Sequence, residues 1–277
     1  MGLIEFKKNY LTVAFFLIFT LIFIGVGITA CSPTKKTSLT EYDNTSNAIV
    51  GGHPVANTLA TGKYLVGLFA PRFGNCTGVI IDQDLILTAA HCLPSNPESL
   101  TVVFSANLLE ARPENMRAVL AAKVFPAWIT NQNKKSNRGD LALVRIQGNL
   151  PTGFFPAFLL TSSQYLQDKS FTLLAGYGLN SGIDPNSYPG ILREVFTTIS
   201  YSNYSPTEIL LSQLDGKGSC TGDSGGPAFI LLNGNYYLWG LTSSGDPQCR
   251  YYGIYTNIIP FLGWIKTSAA ELKSLRK

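Results

Sequence analysis

The sequence predicts an all-β fold, a sandwich or a pair of barrels, closed by one C-terminal helix. Three observations carry this. Short apolar runs rich in Val, Ile, Thr, Tyr and Phe are punctuated by 26 Gly and 15 Pro, the pattern of many short strands and tight turns. An Asn-Gly pair at 233–234 lies between two apolar runs, a hairpin signal. Helical spacing shows at the end of the chain, where Phe261, Trp264 and Ile265 fall on one face. With 277 residues, 45% apolar and 14% charged, the chain can build a sizeable core.

The strands follow in order. The first half offers KYLVGLFA (63–70), TGVIID (77–82), LILTAA (85–90), LTVVFSA (100–106) and VLAAKVF (119–125). DLALVRI (140–146) alternates little, so it is expected to be buried on both faces. Asp82 and Asp84 mark a turn between strands. The Pro/Gly/Phe-rich stretch 147–158 joins two halves. The second half offers SFTLLAGYG (170–178), ILREVFTTISY (191–201), PAFILLNGNYYLWGLTSS (227–244) and YGIYTNI (252–258).

The N-terminus reads as targeting, not fold. Lys7 and Lys8 precede a long uncharged apolar run that ends in ITAC, Ile28–Cys31. Small residues followed directly by Cys resemble the bacterial lipobox. That resemblance implies a signal over 1–30, lipid on Cys31 and a tether or pro-segment over 31–48. The run is also long enough to act as an uncleaved anchor, and a plain secretory signal is the third reading. All three export residues 49–277, to the bacterial cell envelope in the lipoprotein case. Five cysteines then need partners: with Cys31 lipidated, Cys76, Cys92, Cys220 and Cys249 allow three pairings.

Net charge excludes one class of function. The whole chain carries +4, and residues 49–277 hold 17 basic against 14 acidic side chains, leaving +3. That is no nucleic-acid footprint, and NQNKKSNR (131–138) is expected to be a solvated loop.

Nucleophilic catalysis requires a hydroxyl, a base and a group that orients the base. Two histidines are available. His53, between Gly52 and Pro54, reads as a surface turn. His91 ends an apolar strand in LTAAHC, and Asp140 opens a buried one. Ser224 sits in SCTGDSGGPAF (219–229), where glycines let the backbone turn sharply.

Together these pieces resemble a chymotrypsin/trypsin-family serine endopeptidase. IVGG (49–52), CTGVII (76–81), LTAAHC (87–92), GDLALVRI (139–146), GDSGGP (222–227), SSG (243–245) and GIYT (253–256) occur in the family's order over about 49–265. The resemblance implies two six-stranded antiparallel Greek-key barrels, about 49–155 and 156–260, with a terminal helix over 261–277 and a cleft between the barrels. It implies a triad of His91, Asp140 and Ser224, as in the general template, with the N–H groups of Gly222 and Ser224 as oxyanion hole. It implies disulfides Cys76–Cys92 and Cys220–Cys249. It implies activation by a cut before Ile49, whose new amine pairs with Asp223. The primary pocket would be lined by Gly218, Ser219, Ser243, Gly245 and Gly253. With no acid at its floor and glycines on its walls, it is expected to be an open slot for large apolar residues such as Phe, Tyr, Leu or Met. Asp215 and Asp246 are close enough in sequence to disturb that. Ser244 and Tyr177 stand where the family usually has Trp. The implied partners are protein and peptide substrates met by a monomer, with no cofactor and no catalytic metal. The competing expectation is a tethered binding protein that kept the fold and lost activity.

Overall fold

The computed structural model describes residues 49–55, 61–71 and 74–275. The expected signal and tether, with Cys31, lie outside the described residues. Among the described residues no helix is long and apolar enough to cross a membrane.

A two-residue strand, β1 (His53–Pro54), comes first. Then follow β2 (Leu65–Ala70), β3 (Gly74–Asp82), β4 (Leu85–Thr88), β5 (Thr101–Val103) and β6 (Met116–Val124). A short helix, α1 (Pro126–Asn131), precedes β7 (Ala142–Ile146). Strands β2-β3-β4-β7-β6-β5 close into a six-stranded antiparallel barrel.

The second half begins with β8 (Phe158–Leu159), then β9 (Phe171–Gly176), β10 (Arg193–Thr198), β11 (Tyr201–Ser205) and β12 (Glu208–Ser212). It continues with β13 (Pro227–Leu232), β14 (Asn235–Gly245) and β15 (Tyr252–Asn257). The Asn233-Gly234 turn joins β13 to β14, both residues with positive φ, as a tight hairpin requires. The six-stranded run β10-β9-β13-β14-β15-β12 is extended by β1, β11 and β8 into a nine-stranded sheet, whose strands β10 and β12 approach one another.

Alternation explains why several strands read as nearly continuous apolar runs. Side chains along a strand point to opposite faces. In β4, Ile86 enters the first barrel, while Leu85 and Leu87 face a shared core between the halves. In β7, Val144 and Ile146 point in and Leu143 points to the shared core. Across the junction, Leu173, Phe229, Leu238 and Leu241 meet that core, while Leu174, Ala228, Ile230 and Trp239 fill the second half. A one-residue slip would exchange these faces, so burial on both sides fixes the register. The junction is thus an apolar core, and its rim can hold a site.

The terminal helix α2 (Leu262–Ser274) docks by the expected face. Phe261 and Ile265 join the shared core, and Phe125 meets the rings of Phe261 and Trp264 edge-on at 4.8 and 5.5 Å. Arg145 fastens its end, donating from Nη1 to the carbonyls of Leu272 and Leu275, both at 2.9 Å, and from Nε to Asp84 at 3.0 Å.

Candidate active site

Strand β4 delivers His91 to the junction. It ends at Thr88, and Ala90–Cys92 form one tight 3₁₀ turn. The Cys76–Cys92 disulfide ties that turn to β3, and the Thr88 hydroxyl donates to the Thr77 carbonyl at 2.8 Å. Asp140 stands just before β7 with its carboxyl wholly buried. A buried carboxylate must be hydrogen-bonded, and this one is. His91 Nδ1 lies 2.7 Å from Oδ2, the His91 backbone N–H donates to Oδ1 at 3.0 Å, and the Ser243 hydroxyl donates to Oδ2 at 2.6 Å. Burial alone would raise this carboxyl's pKa. The bonds from His91 and Ser243 outweigh it and hold the group below its ordinary value. Asp140 therefore accepts from Nδ1–H and leaves Nε2 as the basic nitrogen.

Ser224 sits on a turn flanked by Gly222 (φ 99°) and Gly225 (φ 75°). Side chains would not fit there. A Cβ on Gly222 would stand 2.8 Å from Gly178 Cα, and one on Gly225 would stand 2.0 Å from Thr88 Oγ1. The turn is clamped to the first barrel: Thr77 N–H donates to the Ser224 carbonyl at 2.8 Å, and the Thr77 hydroxyl donates to the Gly222 carbonyl at 3.1 Å. Ser224 is thereby held beside the His91 turn. Among the hydrogen bonds of the described residues, none joins Ser224 Oγ to His91. Unliganded sites commonly complete that bond only with substrate present.

Behind the turn, Asp223 is fully buried. Its carboxylate accepts from Gly178 N–H at 2.7 Å and Cys220 N–H at 2.8 Å. Burial pushes its pKa up to about 7, against the pull of these bonds and of the Arg193 charge. Ile49 is 1% exposed within the core of the second half, and Val50 exchanges backbone hydrogen bonds with Gly218 at 2.9 and 3.1 Å. The start of the IVGG segment is thus seated next to the pocket segment.

A cavity of about 190 Å³ opens beside Ser224. Ser219, Ser243 and Gly245 line it, and so does Asp246. The Cys220–Cys249 disulfide forms part of its wall. Asp215 is exposed, its carboxylate taken by the Lys217 N–H. Gly218 and Gly253 are not among its lining residues. A Cβ on Gly218 would meet the Gln213 side chain, and one on Gly253 would meet Ser219, Tyr255 and Gln213.

Other residues at the site were not singled out. Thr77 lies in the CTGVII run but nothing there marks its hydroxyl, and Trp128 on α1 brings its ring centroid within 6.3 Å of His91. The loop 131–138 is only partly solvated. Arg138 turns inward, 3.7 Å from the buried Glu208, and donates to the hydroxyls of Ser243 and Ser244. A loop-borne cation can do this because Glu208 also accepts from the N–H groups of Asn137 and Arg138. The sulfurs of Cys76 and Cys92 lie near His91, but a disulfide offers no thiolate to a metal.

Two β halves joined by an apolar core, with an imidazole–carboxylate pair and a glycine-flanked serine at the junction, define the scaffold of a serine protease. The chain belongs to the trypsin family: its sequence matches the Trypsin family model over residues 49–265. It is 27% identical to trypsin I-P1 of Gallus gallus, over 89% of this chain and 96% of that one. It is 26% identical to a chymotrypsin of Phaedon cochleariae, over 82% and 84%. It is 27% identical to CLIP domain-containing serine protease B4 of Anopheles gambiae, over 83% and 74%.

Proposed function

We propose that the protein is a serine endopeptidase working through an acyl-enzyme. Ser224 Oγ attacks the scissile carbonyl carbon as His91 Nε2 takes its proton. The C–N bond then breaks, and the imidazolium returns the proton to the leaving amine. Water, deprotonated by the same nitrogen, hydrolyses the ester and restores Ser224. Asp140 fixes the tautomer and stabilises the imidazolium. The N–H groups of Gly222 and Ser224 receive the oxyanion, where one such donor is typically worth about 3–4 kcal/mol. The observation that carries this reading is the 2.7 Å bond between His91 Nδ1 and a buried Asp140, beside a serine turn clamped to the same segment.

The active form arises by a cut between Ala48 and Ile49. The freed amine pairs with Asp223, whose buried carboxylate otherwise costs several kcal/mol of desolvation. Support comes from the seating of Ile49 and Val50 and from the raised Asp223. The precursor is held outside the cell by lipid on Cys31, and the same cut releases a soluble monomer that needs no cofactor. The pocket at Ser219, Ser243 and Gly245 selects apolar P1 residues over Arg and Lys. A peptide-library digest by the cut protein tests the reading. Cleavage after apolar residues that disappears in Ser224→Ala is expected. Turnover retained in Ser224→Ala, or a profile led by Arg, refutes it.

A further inference from the structure

We infer that Gln213 is the floor of the primary pocket, a plug that shortens it and favours Leu and Met in P1 over Phe and Tyr. This rests on the peptidase reading above and deepens it. Gln213 follows β12 and is 2% exposed. Its side chain occupies the space that the sequence assigns to the base of an open slot. A methyl added to Gly218 would stand 2.1 Å from Gln213 Nε2 and 2.3 Å from its Cδ. One added to Gly253 would stand 3.2 Å from Gln213 Oε1 and 3.0 Å from Ser219 Oγ. The two glycines therefore leave the room that the Gln213 side chain takes.

The plug is fixed. Gln213 N–H donates to the Tyr251 carbonyl at 2.9 Å, its carbonyl accepts from Gly216 N–H at 3.0 Å, and Nε2 donates to the Ser219 carbonyl at 2.9 Å. Because that carbonyl can only accept, the amide nitrogen faces it and Oε1 turns to the Gly253 side. Oε1 is buried and has no hydrogen-bond partner. Above the plug, Ser219 is braced by the Tyr255 hydroxyl at 2.9 Å and forms part of the cavity wall. A P1 ring long enough to reach the base meets the bulk of this fixed side chain. A Leu or Met side chain ends above it.

The test uses the full chain after the cut before Ile49. It compares kcat/KM for matched peptides with Leu, Met or Phe in P1, in the wild type and in Gln213→Ala, Gln213→Asn and Gln213→Met. The wild type is expected to favour Leu and Met. Gln213→Ala raises the Phe:Leu ratio about tenfold or more, the scale on which a pocket discriminates small differences of apolar size. Gln213→Asn moves it part of the way. Gln213→Met, which keeps the volume, leaves it within about threefold. A wild-type profile led by Phe or Tyr overturns the inference, as does an unchanged ratio in Gln213→Ala or a Gln213→Met that behaves like Gln213→Ala. If Gln213→Ala does not fold, the Gln213→Asn ratio decides in the same way. A wild type without turnover on any peptide overturns the peptidase reading. An active wild type whose ratios ignore position 213 overturns the plug alone.

Discussion

Asp223 makes folding stability fall as pH rises while the chain is uncut. The carboxyl titrates near 7 in the folded chain because burial disfavours its charge, and near 4 when unfolded. Between those values the folded state holds one more proton than the unfolded state, so stability decreases with pH. Below the unfolded pKa the contribution is fully present; above about 7 it is gone. At 1.36 kcal/mol per unit over about three units, the loss is on the order of 4 kcal/mol at most. Asp223→Asn removes the titration. The comparison is made in a Ser224→Ala background, which prevents self-processing, by urea unfolding at intervals from pH 4 to 8. Stability of the Asp223 chain should fall relative to its Asn counterpart across that window. A cut before Ile49 should flatten the fall, since the new ammonium draws the carboxyl down again. Parallel pH profiles for the Asp and Asn chains would refute the reasoning.

Three further predictions concern the surroundings. Ser243→Ala removes the 2.6 Å donor to Asp140; kcat/KM should fall about tenfold or more, the worth of one hydrogen bond to a charged group. An unchanged kcat/KM contradicts this. Replacing Cys220 and Cys249 together by Ala should cost about 2–4 kcal/mol in denaturant unfolding and raise KM, since both line the cavity. Arg145→Met should lower Tm by about 4 °C with kcat kept, because it frees the last carbonyls of α2 and touches nothing at the site.

Most strands of both halves were legible because they are short apolar runs rich in β-branched and aromatic residues, bounded by turn residues. DLALVRI looked buried on both faces, and β7 divides its side chains between two cores. The β11–β12 hairpin was missed because Tyr201–Ser205 is polar and mostly exposed, and its partner carries the buried Glu208. Helix α1 was missed because six residues starting at a proline show too little periodicity. His91, Asp140 and Ser224 could be singled out as candidates because each lies in a distinctive motif. Gln213 could not, since nothing in a polar turn tells that its side chain folds back against Gly218 and against Gly253 on the neighbouring strand β15. Arg138 was hidden likewise: its sequence neighbours are charged and solvated, while its partner lies 70 residues on.

Reaction of the cut protein with a fluorophosphonate, read by peptide mass spectrometry, tests most directly whether Ser224 is a nucleophile activated by His91. One adduct per chain is expected, on Ser224, lost in Ser224→Ala and slowed by several orders of magnitude in His91→Ala, because the triad acts as a unit. Labelling of another serine, or labelling of Ser224 at an undiminished rate in His91→Ala, would contradict it.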